Sequence, residues 1–226
     1  PPEDYEDEAA EFTRVIRQRS RIPLHTLLDL GCGAGHNDHY LQKDFEVTGV
    51  DLSKAMLELA RHLNPQVEYL TGDMRSLRLG CTFDAVMIAD SITYMLSEAD
   101  LLAAFHTAYE HLKPGGVFCT YAEELPENFV QNGTYTSTHR GQDENGLDVE
   151  VVLVENYYDT DPRDTTFEMT FIYLIRQAEA LRIEIDSHQV GIFPQAAWER
   201  LLRQAGFEVH QACFDEAKAP LFIGVK

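Results

Sequence analysis

Along the first half of the chain, segments with two different patterns of apolar residues alternate. Short apolar runs indicate strands, and stretches in which apolar residues recur every three or four positions indicate helices. The predicted strands are Thr26–Leu30, Glu46–Val50, Val67–Thr71, Ala85–Ala89 and Val117–Tyr121. The predicted helices are Tyr5–Arg19, Asn37–Lys43, Lys54–Leu63 and Ala99–His111. Because several of the strands are continuously apolar, we expect parallel strands covered on both faces, as in a doubly wound α/β sheet.

The pattern changes after Tyr121. Three β-rich runs follow, VEVVLVENYYDT, TTFEMTFIYLI and LRIEIDSHQV, with the turn signal DTDPRD between the first two. They predict an antiparallel β region at 122–191, inserted after the fifth strand of a single domain that covers 1–226. A helix at Gln195–Gln204, closed by Gly206, and two last strands, FEVHQACF and PLFIGV, complete the predicted sheet.

Three glycines follow the first predicted strand in the segment DLGCGAG. In a doubly wound sheet, ligands bind beyond the carboxyl ends of the strands. Gly31, Gly33 and Gly35 would allow a tight turn there and a close approach of a ligand to the backbone. Asp51 ends the next strand, where its carboxylate can accept both hydroxyls of a ribose. Asp73 ends the third strand, where it could accept the exocyclic amine of an adenine.

These features together predict a nucleoside ligand. Each also has a structural alternative, since a glycine turn can simply connect two elements and an aspartate at a strand end can cap the next helix. Their order along one chain favours the ligand. The Gly-x-Gly-x-Gly spacing differs from the Gly-x-Gly-x-x-Gly of dinucleotide sites, which disfavours a nicotinamide-dependent oxidoreductase.

Composition narrows the classes of partner. The chain has 226 residues, and its formal net charge of −20 repels nucleic acid and anionic lipid. No apolar run is long enough to span a membrane, and the first residues lack the features of a signal peptide, so we expect a cytoplasmic protein. The four cysteines form no Cys-x-x-Cys pair and are expected to be reduced, buried thiols. These properties favour a small-molecule substrate.

Five segments occur in a fixed order: DLGCGAG, GVDLS, GDM, FDAVMIAD and HLKPGGVF. Over Leu27–Phe118 they closely resemble the motifs of class I S-adenosylmethionine-dependent methyltransferases. The resemblance implies a seven-stranded, mostly parallel sheet whose last strand is antiparallel. It implies S-adenosyl-L-methionine as the cofactor and S-adenosyl-L-homocysteine as its product.

The resemblance also implies which residues contact the cofactor. Its methionine part would contact Gly31, Cys32, Gly33 and Ala89. Its nucleoside would contact Asp51 at the ribose, Leu52 and Met74 on the two sides of the adenine, and Asp73 at the adenine amine.

Further segments resemble the deoxysugar N,N-dimethyltransferases of antibiotic pathways: EDYEDEA, GDMRSLRLG, SITYML, LPENF and PLFIGV. This implies a small-molecule acceptor, with N-methylation of an amino sugar or another amine favoured, and makes region 122–191 an acceptor cap. YAEELPENF stands where the subgroup has a tryptophan-rich stretch, which implies a different acceptor pocket. The subgroup's tyrosine-bearing lid would precede Pro1.

Several alternatives stay open at this point. They are O-methylation of a small metabolite, aminopropyl transfer from a decarboxylated cofactor, and a catalytically silent cofactor-binding protein. The intact glycines and aspartates of the motifs disfavour the silent protein. The sequence also leaves open whether the chain forms a homodimer.

Three residues are candidates for the catalytic step. His188, on an inserted strand, is the first candidate base, because an imidazole titrates near neutral pH, and its position resembles that of a histidine in the sugar methyltransferases. Glu123, with its neighbour Glu124, could bind a cationic amine or accept its proton. Tyr94 follows the fourth strand at the rim of the site. The alternatives are an exposed histidine, solvated loop carboxylates and a packing aromatic. No metal ligand set is predicted.

Overall fold

The structure is a computed structural model that describes residues 2–142, 145–178, 180–214 and 219–226. Five α-helices lie in these ranges: α1 Pro2–Arg19, α2 His36–Leu41, α3 Lys54–Leu63, α4 Glu98–His111 and α5 Gln195–Ala205. The strands of the main sheet are β1 Thr26–Leu30, β2 Glu46–Asp51, β3 Glu68–Thr71, β4 Phe83–Ile88, β5 Leu112–Tyr121, β10 Glu208–Phe214 and β11 Ala219–Val225. The inserted strands are β6 Gly133–Gln142, β7 Asp148–Tyr158, β8 Thr166–Gln177 and β9 Ala180–Gly191. A 3₁₀ helix follows β4 at Asp90–Tyr94.

The seven-stranded sheet confirms the predicted fold class. Its strand order is β10-β11-β5-β4-β1-β2-β3. Strand β11 runs antiparallel to both of its neighbours, and the other pairings are parallel. The chain moves outward in opposite directions from β1 and β4, so the sheet has its switch point between these two strands. A ligand cleft is expected at their carboxyl ends.

Apolar strands covered on both faces account for the parallel part of this sheet. Every residue of β4 is buried, as are four of the five in β1. One face packs against α4 and α5 through Phe105 and Trp198, and the other packs against α1 through Phe12 and Ile16. Both layers fix the carboxyl ends of β1 and β4, from which the site residues project.

The inserted region forms a separate antiparallel sheet with the order β6-β7-β8-β9. The three predicted β runs correspond to β7, β8 and β9. Strand β6 was not predicted, because GTYTSTHRGQ has few apolar residues and no apolar alternation, yet all ten of its residues pair with β7. The new sheet contacts the 3₁₀ helix at Gly191, where a Cβ atom would overlap the carbonyl oxygen of Met95.

The other predicted elements agree with the structure apart from shifts at their ends. The largest shift is in β5, which begins at Leu112 rather than at Val117. The expectation of buried thiols is confirmed for Cys119 and wrong for Cys81, which is exposed, while Cys32 is half-buried. The side chain of Cys213 lies outside the described part of the chain.

Candidate active site

A cleft of about 420 Å³ opens at the carboxyl ends of β1, β2 and β4. Its position is the switch point of the sheet, where ligands of doubly wound folds bind. Its lining residues come from the glycine turn, the ends of β2 and β4, the 3₁₀ helix and α1: Tyr5, Asp29, Gly31, Cys32, Gly33, Ala34, His36, Asn37, Asp51, Ser53, Met56, Ala89, Asp90, Ser91 and Tyr94.

The turn after β1 requires glycine at its first position. Gly31 has a φ of 82°, in the left-handed region, and a Cβ atom there would overlap the Ser91 hydroxyl. The Gly31 and Cys32 amides donate to the carbonyl oxygen of Val50, at 2.6 and 3.0 Å. Gly33 also has a positive φ, 54°, and open space lies where its side chain would be. The backbone at Gly33 is therefore open to a ligand.

Asp51 joins the glycine turn to the end of β2. Its Oδ2 accepts the Gly33 amide at 2.8 Å, and its Oδ1 accepts the Ser53 amide at 2.7 Å. Each carboxylate oxygen can accept a second hydrogen bond. The geometry leaves Asp51 able to receive two hydroxyl groups, as the nucleoside prediction requires.

Two buried oxygen atoms at the bottom of the cleft lack partners within the described part of the chain. They are Oδ1 of Asp29 and Oδ1 of Asn37. Both residues line the cleft and are buried. Burial raises the pKa of the Asp29 carboxyl well above its ordinary value, and the neighbouring Asp38 carboxyl raises it further. Because buried acceptors without partners are costly, Oδ1 of Asn37 is suited to receive a donor from a ligand, whereas the Asp29 carboxyl interacts with that of Asp38.

The residues predicted to surround an adenine lie at one side of the cleft. Leu52 is 67% exposed, whereas Met74 is half-buried, with its methyl group 2.9 Å from the position of a Cβ atom on Gly31. Both oxygens of Asp73 accept hydrogen bonds from Arg75, at 2.7 to 3.2 Å, and these bonds lower the pKa of the Asp73 carboxyl. In the described part of the chain, none of these three residues lines the cleft itself.

Carboxyl groups crowd the opposite side. Burial and the nearby Asp90 raise the pKa of Glu8 to about 7 and that of Glu123 to about 8. Burial also raises the pKa of Asp90. Glu123 and Asp90 are nevertheless exposed to solvent, which screens their charges and weakens these shifts. Glu124 lies beside Glu123 and raises its pKa further.

The inserted sheet reaches this side of the cleft through His188. Its Nδ1 lies 3.2 Å from the Tyr94 hydroxyl, and its Nε2 lies 3.1 Å from Oδ2 of Asp186. The structure thus brings together two predicted residues that are 94 positions apart. Sequence reasoning missed Asp186, although its position two residues before His188 places both on one face of a strand. It also missed Glu8 and Asp90, although both lie within quoted motif segments, EDYEDEA and FDAVMIAD.

Across the described ranges, no group of three or more histidine, cysteine, aspartate or glutamate side chains is placed to hold a metal ion. None of the helices in those ranges is long and apolar enough to cross a membrane.

A glycine turn at the switch point and an acidic residue at the end of the next strand define a nucleoside-binding α/β fold. Comparison with known proteins identifies the family within this fold class. Residues 27–116 match the family model described as a methyltransferase domain. The chain is 31% identical to the dTDP-3-amino-3,4,6-trideoxy-α-D-glucopyranose N,N-dimethyltransferase of Streptomyces venezuelae, over 98% of this chain and 91% of that protein.

Solved structures agree with this comparison. The crystal structure of Streptomyces venezuelae DesVI superposes with a TM-score of 0.88 at 28% identity, covering 98% of this chain and 92% of that one. CalS10, an amino pentose methyltransferase from Micromonospora echinaspora solved with bound S-adenosylmethionine, gives 0.86 at 28% identity, with 97% and 90% covered. The chain belongs to the S-adenosylmethionine-dependent methyltransferase family, as the sequence motifs predicted.

The cleft residues fit this cofactor. The open backbone at Gly33 leaves room for a close approach, and the free lone pairs of Asp51 suit a ribose. Oδ1 of Asn37 can accept from an ammonium group. When bound, S-adenosylmethionine supplies a methyl group on a positively charged sulfur.

Proposed function

We propose that this protein transfers methyl groups from S-adenosylmethionine to the amine of a small-molecule acceptor, most specifically an amino sugar carried on a nucleotide. The observation that carries the proposal is a cluster of carboxyl groups at the cleft: Asp90 lines the cleft beside the glycine turn, and the charges of Glu8 and Glu123 interact with that of Asp90. The named function of the Streptomyces venezuelae relative, an amino-sugar N,N-dimethyltransferase, supports the same acceptor class.

The carboxyl groups suit a cationic acceptor. Burial raises the pKa of all three carboxyl groups, and neighbouring acids raise those of Glu8 and Glu123 further. A bound ammonium group would relieve this repulsion and favour the carboxylates. A neutral hydroxyl acceptor would not relieve the repulsion between the carboxylates. The charges therefore favour N-methylation over O-methylation.

The residues have separate tasks in this proposal. Gly31, Cys32, Gly33 and Ala89 lie against the methionine end of the cofactor, and Asp51 binds its ribose. Leu52, Asp73 and Met74 bind the adenine. Glu123 binds the acceptor ammonium, and the inserted region 122–191 acts as the acceptor cap. Positioning the amine against the methyl group supplies most of the rate enhancement.

The test uses the purified protein with S-adenosylmethionine and dTDP-3-amino-3,4,6-trideoxy-α-D-glucopyranose, followed by mass spectrometry. We expect the mass to increase by one and then two methyl groups. The matched control is the same sugar nucleotide with a hydroxyl in place of the amine, which should stay unmodified. Methylation of the control alone would replace the proposal with O-methylation. Cofactor binding without methylation of amino-sugar or other amine acceptors would identify a silent binding protein.

We further propose that the protein acts in the cytoplasm as a homodimer. On the face of the inserted sheet opposite His188, alternation exposes Leu181, Ile183 and Ile185, with Ile185 68% exposed. Ile172 and Leu174 lie beside them in the strand register. The centre of this face is uncharged, so two copies with a net charge of −20 can meet there.

Light scattering tests the dimer. The wild type should have twice the mass of one chain, and Ile183→Lys combined with Ile185→Lys should have the mass of one chain. Glu184→Lys, on the other face of the same strand, should remain dimeric. A wild-type monomer at micromolar concentration would contradict the proposal.

A further inference from the structure

The Tyr94 hydroxyl is placed between the cleft and His188. Tyr94 ends the 3₁₀ helix, its side chain is 51% exposed, and it lines the cleft together with the glycine turn and Asp51. His188 approaches from β9, and its ring packs edge-on against those of Tyr94 and Phe171. Tyr94 lines the cleft and His188 does not, so Tyr94 is the residue of this pair within reach of an acceptor bound there.

Both ring nitrogens of His188 have partners. Nε2 faces Oδ2 of Asp186 at 3.1 Å. An ionised carboxylate only accepts hydrogen bonds, so Nε2 must carry the proton of the neutral ring. Nδ1 then has the free lone pair, which accepts the Tyr94 hydroxyl proton at 3.2 Å. Asp186 thus selects the tautomer in which the basic nitrogen faces Tyr94.

We propose that the proton leaving the acceptor amine passes through the Tyr94 hydroxyl to His188, and that Asp186 is the positioning residue for the His188 ring. The proposal rests on the proposed function. It differs from the sequence prediction, in which His188 takes the proton directly.

The step balances as a double proton transfer. The N–H bond of the acceptor ammonium breaks, its proton goes to the Tyr94 oxygen, and the Tyr94 O–H proton goes to Nδ1 of His188. The amine keeps the electron pair that attacks the methyl group. The imidazolium formed is stabilised by the Asp186 carboxylate, and because the His188 side chain is 31% exposed, the proton can leave to water. A monomethylated ammonium must lose a proton in the same way before a second transfer.

The charged groups around Tyr94 fit a relay rather than a phenolate base. Burial raises the pKa of Tyr94, and Asp186, Asp90, Glu123 and Tyr173 raise it further. The hydroxyl therefore stays protonated at neutral pH, and it can accept a proton only while it gives one to His188. These groups come from the 3₁₀ helix itself, the segment after β5, and β8 and β9.

The experiment compares Tyr94→Phe, His188→Asn and Asp186→Asn with the wild type, using the amino-sugar nucleotide as acceptor over pH 6 to about 10. We expect Tyr94→Phe and His188→Asn to lower kcat about 100-fold at neutral pH, in the range typical of general acid–base catalysis. The loss should shrink above the pKa of the acceptor amine, where the amine arrives neutral. Asp186→Asn should lower kcat about tenfold, shift the pH profile and leave the KM for the cofactor unchanged.

Glu184→Gln is the matched control, because Glu184 is an exposed acid on the same face of β9 and should leave the pH profile unchanged. Thermal unfolding checks that each variant folds. Wild-type kcat at every pH in Tyr94→Phe would overturn the relay. A loss in His188→Asn without one in Tyr94→Phe would mean that His188 takes the proton directly. An inactive wild type would remove the proposed function itself, which separates that failure from failure of the relay.

Discussion

The two sides of the cleft are built in different ways. The cofactor side consists mainly of backbone at the end of a parallel sheet, held by hydrogen bonds from Gly31 and Cys32 to Val50 and from Gly33 to Asp51. The acceptor side consists of side chains from α1, the 3₁₀ helix, the segment after β5 and an inserted sheet. One side has fixed geometry and little freedom to change, whereas the other presents titratable groups whose charges depend on what binds.

This difference explains how one fold can serve many acceptors. The cofactor is constant, and a backbone turn inside a buried sheet binds it without depending on many side chains. The acceptor varies, and exposed antiparallel strands tolerate changes on one face without loss of the core. Changes on the cofactor side should therefore have large effects on folding and cofactor affinity, and changes on the acceptor side should have smaller effects that depend on pH.

The largest effect is expected for Gly31→Ala. The variant forces a side chain into the left-handed region and into contact with Ser91. The backbone strain costs about 1–2 kcal/mol and the overlap about 1–3 kcal/mol more, so we expect a lower unfolding temperature and no measurable cofactor binding. Differential scanning calorimetry and titration of S-adenosylhomocysteine measure the two effects.

Gly80→Ala is the matched control for backbone strain. Gly80 has a similar φ of 73°, but no atom lies within 4 Å of its Cβ position, and it lies outside the cleft. Gly80→Ala should lower the stability only by the cost of backbone strain, and it should keep full cofactor affinity. Equal losses in the two variants would show that close packing at Gly31 has no special role.

The positions of the glycine turn and of Asp51 at the end of β2 could be predicted from sequence because they depend on local pattern. Three glycines in five residues and an aspartate at the end of the next strand define the turn, whatever the rest of the chain does. The acceptor side depends on contacts between distant positions. Tyr94 and His188 are 94 residues apart, and only the register of β8 with β9 and the packing of Gly191 against Met95 bring them together.

Particular residues show where the pattern failed. The alternation of β9 gave the strand but not the pairing of His188 with Asp186. Strand β6 was missed because its residues are mostly polar and it is defined by pairing with β7. The raised pKa of Glu123 arises from Asp90, Glu124 and other acids brought together only by the fold.

The second largest effect is expected for Asp51→Ala. The variant removes the acceptors for the ribose and also the contact with the Gly33 amide, which should lower cofactor affinity by about 1–3 kcal/mol. Calorimetric titration of S-adenosylhomocysteine measures the loss. Asp44→Ala, an exposed aspartate before β2 paired with Arg17, is the control and should bind normally. Unchanged affinity in Asp51→Ala would remove Asp51 from the site.

A smaller effect, confined to the acceptor side, is expected for Glu123→Gln. Loss of the charge should raise the KM for the amine about tenfold, roughly 1.4 kcal/mol, with cofactor affinity unchanged. Steady-state kinetics at pH 8 measure it. Glu124→Gln is the control, because Glu124 is the neighbouring acid and should change KM less. A larger effect of Glu124→Gln would move the ammonium site to that residue.

Glu123→Gln should also show how much the crowded carboxyl groups lower the stability of the folded protein. The pKa of Glu123 is raised from 4.5 to about 8 in the folded protein. The folded state therefore holds this proton more tightly than the unfolded state, and the stabilisation is complete below pH 4.5 and is lost as the pH rises towards 8. Glu123→Gln should unfold at a higher temperature than the wild type at pH 8, and the difference should be smaller at pH 5. An equal difference at both pH values would contradict the raised pKa.

The smallest effect is expected for Leu52→Ala, at an exposed side chain next to Asp51. Leu52 is 67% exposed, so the variant should change the free energy of unfolding by less than about 0.5 kcal/mol. If Leu52 covers the adenine, loss of that apolar contact should weaken S-adenosylhomocysteine binding about fivefold, roughly 1 kcal/mol. Leu59→Ala, at a leucine of α3 that is 58% exposed and outside the cleft lining, provides the matched control and should bind normally. Equal affinity in both variants would remove Leu52 from the cofactor contacts, which would make the contrast with the acceptor side sharper still.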